Sequence, residues 1–430
     1  MKGPFQNWEK MITSPVAVLG CGISGNGVCA LLERLGLKYR VFDDQGCVIT
    51  PSKLKSSSIV IVSPGFRPDH PWLLMARRMK KKVFGELDFA SFFSESPITA
   101  ITGTNGKSTI VTLLSHIFNK SGYNTTTAGN IGIPLSQLIA DQVTPPERIF
   151  LEVSSFQSRS LSFLEPQQGI WTNFAEDHLN YHGSMEDYFQ SKLSLLRRCQ
   201  GDVFVGESVQ IWAKRLSLNL PSQVRVIRPY SLKDSPISGN CFFNTLPQRE
   251  NFALARAFAI SLGVSVESFN HACLDYTPEP HRLAKINQIE NVSFWNDSKA
   301  TNFNAVIAAC KSLRKPIYWI GGGQSKGISM DLFARELNEH IQRAYVIGEV
   351  GEEMVREFNT FDTPAVQCFS LQEAVECAYS EAKGSVSILF SPGFASFDQF
   401  RDYKDRGNIF NKSVLNLKKK FATTTQELLY

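Results

Sequence analysis

Short apolar runs alternate with amphipathic stretches along almost the whole chain. Val16-Ala17-Val18-Leu19, Tyr39-Arg40-Val41-Phe42 and Ile59-Val60-Ile61-Val62 open the series, and they end at Gly20, at Asp43-Asp44 and at Ser63-Pro64-Gly65. A polar break, Ser94-Glu95-Ser96-Pro97, closes this first unit. A second unit starts with the strand pattern Pro97-Ile98-Thr99-Ala100-Ile101 and carries 149–153 and 169–173 as further strands. It ends near Pro278-Glu279-Pro280. A third carries strand patterns at 292–295, 317–320, 344–347 and 386–390. Apolar runs of this length, separated by stretches with helical spacing, predict α/β domains built on parallel sheets. The expected boundaries are 1–95, 96–279 and 280–430.

Composition changes little in this picture. A chain of 430 residues fits roughly three domains. Its 43% hydrophobic and 20% charged residues are those of an ordinary globular protein. A net charge of +5 is small for this size and gives no warrant for a nucleic-acid partner. The basic runs 77–82 and 418–420 read as solvated faces. No apolar run approaches the roughly 18 residues of a membrane span, and the stretch 1–15 has no secretory hydrophobic core. Nine scattered cysteines without a Cys-x-x-Cys pair fit a reduced, cytoplasmic protein.

The most informative chemistry is Thr102-Gly103-Thr104-Asn105-Gly106-Lys107-Ser108-Thr109. It stands between a strand pattern and the helical pattern Ile110, Leu113, Leu114, Ile117. Backbone N–H groups and a helix N-terminus in this arrangement favour a phosphate. Lys107 supplies a point charge for the outer phosphates, and Ser108 or Thr109 an oxygen for Mg²⁺. The competing reading is a tight glycine turn that binds nothing.

A second glycine motif, Gly20-x-Gly22-Ile23-Ser24-Gly25, follows the first strand, with Asp43 and Asp44 near the spacing of a ribose-binding carboxylate. The motif fits any nucleotide diphosphate: a nicotinamide cofactor or a UDP-sugar. The first domain is therefore expected to be Rossmann-like, the central one P-loop ATPase-like and the third again Rossmann-like.

Glu152 and Asp177-His178 follow strands of the phosphate-loop domain, where open α/β sheets place their ligands, and they are candidates for magnesium. Taken singly, Glu152 reads equally as a helix cap and His178 as a loop residue. Lys192 lies in the helical stretch 185–196 and reads most simply as a solvated side chain. In the third unit Lys299, Lys326 and Ser396 occupy loops after strands, an arrangement suited to a substrate with two carboxylates.

These motifs resemble the Mur ligase family. The resemblance rests on Gly103–Thr109, Ala128-Gly129-Asn130-Ile131-Gly132 and Leu151-Glu152-Val153-Ser154-Ser155-Phe156-Gln157. It continues through Glu176-Asp177-His178, Pro280-His281-Arg282, Asn296-Asp297-Ser298-Lys299-Ala300-Thr301-Asn302 and the stretch from Ser391 to Gly407. Ser154–Gln157 and Asp297–Asn302 look most like the branch that adds D-glutamate. The Asp-Asn-Pro-Arg signature of the diaminopimelate- and lysine-adding relatives is absent.

The resemblance implies an ATP- and Mg²⁺-dependent ligase joining D-glutamate to UDP-N-acetylmuramoyl-L-alanine, acting as a monomer. Gly22, Ile23, Ser24, Gly25 and Asp43 would hold the UDP part, and Asn130 the acyl-substrate region. Gly103, Thr104, Asn105, Gly106, Lys107, Ser108 and Thr109 would bind the ATP phosphates, Arg282 the γ-phosphate, and Asn251 and Asp297 adenine and ribose. Ser108, Glu152, His178 and a carbamylated Lys192 would serve magnesium. Lys299, Thr301, Lys326, Ser396 and Tyr403 would form the D-glutamate pocket. The chain departs from the family at 246–251, which lacks the usual Gly and His, at Gln324 in place of Asp, and at Tyr403 in place of Phe. The rival readings are a Mur ligase for another amino acid, a non-catalytic nucleotide-binding module, and a nicotinamide dehydrogenase.

Overall fold

The computed structural model describes residues 12–44, 46–229, 237, 242–245, 248–325 and 329–427. The strands form three sheets. The first contains β1 (Val16–Leu19), β2 (Tyr39–Phe42), β3 (Val60–Val62) and β4 (Val83–Gly85), all parallel, in the order β2-β1-β3-β4. The second contains β5 (Ile98–Thr102), β6 (Thr125–Gly129), β7 (Arg148–Glu152), β8 (Gln168–Trp171), β9 (Val203–Gly206) and β10 (Val224–Ile227). Its order is β10-β9-β8-β5-β7-β6, again parallel throughout.

The third sheet contains β11 (Ala284–Ile289), β12 (Val292–Asn296), β13 (Ile317–Gly322), β14 (Arg343–Ile347), β15 (Ala365–Gln367) and β16 (Val386–Gly393). The order is β11-β12-β16-β13-β14-β15, with β11 alone antiparallel to its neighbour.

The apolar runs are continuous because successive side chains point to opposite faces and both faces are covered. In β1, Val16 and Val18 enter one core while Ala17 and Leu19 enter another. In β13, Ile317 and Trp319 face one core, Tyr318 and Ile320 the other.

The chain divides into two compact units. One comprises 1–174, 185–244 and 248–276, the other 175–184, 245–247 and 277–430. The first unit holds two sheets because they share a core: Val16 and Val18 of β1 belong to the same buried cluster as Ala100 of β5 and Leu151 of β7. Polar contacts reinforce the junction. The Glu86 carboxylate accepts from the backbone N–H and the hydroxyl of Ser136, both at 2.7 Å. Asp88 accepts from the backbone N–H groups of Ser162, Phe163 and Leu164 at 2.7–3.0 Å. Burial pushes both carboxyls above the usual range, and these donors pull them back.

The eight described cysteines are free thiols. Among the described residues no helix is long and apolar enough to cross a membrane.

Candidate active site

In the first unit the site grows from the carboxyl edge of the second sheet. Central strand β5 lies between β7 and β8, with Ile101 opposite Glu152 and Thr102 opposite Trp171. The loop leaving β5 turns into helix α1 (Lys107–Lys120). Gly103 at φ +146° and Gly106 at φ +81° make the turn. A Cβ at Gly103 would stand 1.8 Å from Thr172 Oγ1, so the motif needs glycine there for space as well as for φ. Asn173 braces the loop: its Oδ1 accepts from Asn105 N at 2.9 Å and its carbonyl from Thr104 N at 3.1 Å.

Two ammonium groups converge on this loop. Lys107 Nζ donates to the carbonyls of Gly103 at 2.9 Å and Thr104 at 2.8 Å. Lys192 Nζ donates to the same Gly103 carbonyl at 2.9 Å and lies 4.9 Å from the centre of the Tyr188 ring. This overturns the solvated reading of Lys192. It projects from helix α2 (Met185–Leu196) into the protein and is 1% exposed. Ser108 and Thr109 are buried at the start of α1.

Glu152 ends β7 with 2% of its surface exposed, and Asn130 Nδ2 donates to its Oε1 at 2.9 Å. It is no helix cap: the following helix is capped by Ser154, whose hydroxyl accepts from Gln157 N while the Gln157 side chain accepts from Ser154 N. Asn251, in α3 (Gln248–Ser261), is also buried, donates to Gln248 Oε1 at 2.9 Å, and sits where a Cβ on Gly106 would be 2.3 Å from its Oδ1. The 246–251 segment thus keeps its asparagine against the phosphate loop; Leu246 and Pro247 lie outside the described residues.

The donors fit a magnesium ion held with phosphates. The Ser108 hydroxyl, in the first turn of α1, and the Glu152 carboxylate, at the end of β7, are hard oxygens of the kind magnesium takes. The described residues hold no cluster of three or more His, Cys, Asp or Glu side chains that could hold a metal alone. Lys192 as an ammonium is no ligand.

At the carboxyl edge of the first sheet, Gly22 is the N-cap of the helix Ile23–Arg34. Cys21 N donates to Asp43 Oδ2 at 3.3 Å, so the glycine loop and the acidic end of β2 meet. Ile23 is 76% exposed beside them. Asp43, Ser63, Phe66 and His70 help to line a cavity of ≈ 600 Å³. A nucleotide base and ribose fit that volume.

The second unit gathers the remaining residues. His178 adopts φ +55°, and His281 and Leu283 flank Arg282 at φ +64° and +45°. Non-glycine residues in this region are strained and concentrate at functional sites. His178 Nε2 lies 3.5 Å from Asp177 Oδ2, which also accepts from Asn302 Nδ2 at 3.2 Å. Arg282 and Lys299 meet at Glu279, and Lys299 Nζ stands 5.0 Å from the centre of the Tyr403 ring.

Buried Arg406, missed as a site residue in the sequence, ties the loops together. It donates to Ser298 Oγ at 3.2 Å and Ser298 O at 2.9 Å, and to the carbonyls of Phe394 and Ala395 at 3.2 and 3.3 Å. Ser298 Oγ in turn donates to Tyr403 O at 2.8 Å. This frame ties the loops of Lys299 and buried Ser396 to Tyr403 at the start of the helix Tyr403–Glu427. Thr301 is half-buried beside Asn302. Gln324 N donates to Ala395 O at 3.0 Å; Lys326, two residues on, lies outside the described residues.

Asp297 accepts from Leu283 N at 3.0 Å and from Ser391 Oγ at 2.9 Å. Burial pushes its carboxyl up to about 7, outweighing those donors and nearby Arg282. The folded chain therefore binds a proton here that the unfolded chain releases near pH 4. This group's contribution to stability is full below about pH 4 and is lost as pH rises towards 7, with a slope of up to about 1.4 kcal/mol per pH unit. In thermal melts between pH 4 and 8, Asp297→Asn is expected to flatten that part of the profile. An unaltered profile would remove the assignment.

Residues 101–256 match the Mur ligase middle domain, and residues 281–394 the Mur ligase, glutamate ligase domain. A Thermoanaerobacter pseudethanolicus protein named UDP-N-acetylmuramoylalanine–D-glutamate ligase is 30% identical, the match covering 94% of this chain and 98% of that one. An Aquifex aeolicus protein of the same name is 32% identical, covering 92% and 97%. Among solved structures, UDP-N-acetylmuramate-alanine ligase MurC of Thermotoga maritima superposes with a TM-score of 0.60 at 15% identity, covering 94% of this chain and all of that one. The MurF ligase of Thermotoga maritima in complex with ADP gives 0.57 at 13% identity, covering 86% and 90%. At such identities the structures speak for the fold alone.

Proposed function

We propose, from the premise that this chain belongs to the Mur ligase family, that it joins D-glutamate to UDP-N-acetylmuramoyl-L-alanine at the expense of ATP in peptidoglycan precursor synthesis. The observation that carries the reading is the convergence of Lys107 and Lys192 on the Gly103 carbonyl, in a loop whose sheet also presents Glu152 and Asn130. That arrangement supports a phosphoryl-transfer reading. The full-length likeness to proteins named for the D-glutamate reaction supports the choice of amino acid.

A carboxylate is a poor acceptor for an amine, and activation as a mixed anhydride removes that obstacle. An oxygen of the L-alanyl carboxylate attacks the γ-phosphorus of ATP and ADP leaves, giving an acyl phosphate. The amine of D-glutamate then attacks the acyl carbon, loses a proton and expels phosphate. Lys107 and the loop N–H groups offset charge on the transferring phosphoryl group. Ser108 and Glu152, with His178 and a carbamate on Lys192, would hold magnesium, which would supply further positive charge there when bound. Uridine and diphosphate occupy the first-sheet site of Gly22–Gly25 and Asp43. Arg282 takes the γ-phosphate, Asn251 and Asp297 adenine and ribose, and Lys299, Thr301, Lys326, Ser396 and Tyr403 take D-glutamate. The three-part division at 95/96 and 279/280 belongs to the same proposal.

Phosphate release should require ATP, UDP-N-acetylmuramoyl-L-alanine and D-glutamate together, and hydroxylamine should trap an acyl hydroxamate when D-glutamate is left out. Equal turnover with L-lysine or diaminopimelate would reassign the amino acid. NADH binding without any response to the UDP-sugar would overturn the ligase reading.

A further inference from the structure

The Glu279 carboxylate occupies the space between two cations that the proposed reaction needs for its substrates. Its Oε2 accepts from Arg282 Nε at 3.1 Å and lies 3.6 Å from Lys299 Nζ. One oxygen thus serves both groups. The backbone fixes the meeting: Lys299 N donates to His281 O at 3.1 Å, and the two left-handed residues around Arg282 set the course of its segment. All three side chains are reached by water, with 28% of Glu279, 16% of Arg282 and 20% of Lys299 exposed.

We propose that Glu279 is a resident counter-ion of the anion pocket, exchanged for substrate phosphate or carboxylate on binding. The inference rests on the reading above, which gives Arg282 to the γ-phosphate and Lys299 to D-glutamate. A guanidinium and an ammonium this close repel, and a carboxylate between them holds both in place while substrate is absent. A water-reachable ion pair is weak, so it yields to an anion that arrives with contacts of its own. Free small anions lack such contacts and compete with the resident carboxylate at a disadvantage. Glu279 therefore trades affinity for selectivity: it favours anions anchored elsewhere on the protein and holds off inorganic phosphate.

The test is Glu279→Gln, which keeps the shape and removes the charge. KM for ATP and for D-glutamate should each fall about 3-fold, the scale of losing one exposed ion pair, with kcat within twofold of the native chain. Inhibition by inorganic phosphate should strengthen by a similar factor. In calorimetry a non-hydrolysable ATP analogue should bind the variant more tightly, while ADP, lacking the γ-phosphate, should bind both chains alike. Added salt should shrink the difference. Unchanged or raised constants in a variant with native circular dichroism would overturn the proposal. If the native chain itself shows no D-glutamate-dependent phosphate release, the functional reading fails instead, and the two failures are told apart by that one control.

Discussion

Lys107→Ala is expected to lower turnover by about a thousandfold while leaving the fold intact. Removing one preorganised donor from a charge-stabilising site costs about 10²–10³ in rate, and a full positive charge lies at the upper end. Lys107 is half-buried at the start of α1, and its ammonium is turned onto the carbonyls of its own loop, beside the position proposed for the phosphate. Its loss opens no core cavity. Circular dichroism and the melting midpoint should match the native chain, and UDP-sugar binding should survive. Turnover within tenfold of native would mean that the phosphoryl group is stabilised elsewhere.

Lys192→Ala is expected to cost about a hundredfold, the upper end of the losses that follow when the surroundings of a metal site are disturbed. An ammonium 1% exposed pays a desolvation penalty, and here its Nζ donates to the Gly103 carbonyl and to Thr102 Oγ1 and faces the Tyr188 ring. Addition of CO₂ to the neutral amine, with loss of a proton, would turn this cation into the oxygen ligand for magnesium proposed above. Stripping CO₂ from the buffer should therefore slow the native enzyme, and bicarbonate should restore it. A ¹³C-carbamate resonance should appear in the native chain and be absent from the variant, and acetate should rescue part of the lost activity. Full activity of Lys192→Ala without additives would end the metal role.

What the sequence disclosed follows from which features are local. Strands buried on both faces, such as β1, β5 and β13, announce themselves as unbroken apolar runs. The strands left unread were β4, β6, β10, β11 and β15, all at sheet edges, together with β9. Edge strands have one neighbour and tolerate polar residues, as in Thr125-Thr126-Thr127 of β6 and Lys285-Ile286-Asn287-Gln288 of β11. The phosphate loop was legible because its backbone demands glycine at fixed positions. Lys192 was not, because its burial is decided by a loop some 89 residues earlier. Arg406 and Ser298 are 108 residues apart, and no local pattern foretells their meeting. Glu279 lies three residues from Arg282, yet Lys299, the second cation it holds, is brought to it only by the fold.

With the substrate's nucleotide end held at the glycine loop, as proposed, the shared core beneath the first two sheets, sealed by Glu86 and Asp88, would make the first unit a ruler. A substrate gripped by its nucleotide end at the glycine loop has a set distance to span before its far end reaches the phosphate loop. Molecules of the right chemistry but the wrong length would be seated and yet fall short of the γ-phosphate, or overshoot it. Selection by reach would then operate alongside selection by contact, and its gauge would be the stiffness of a junction that touches neither ligand.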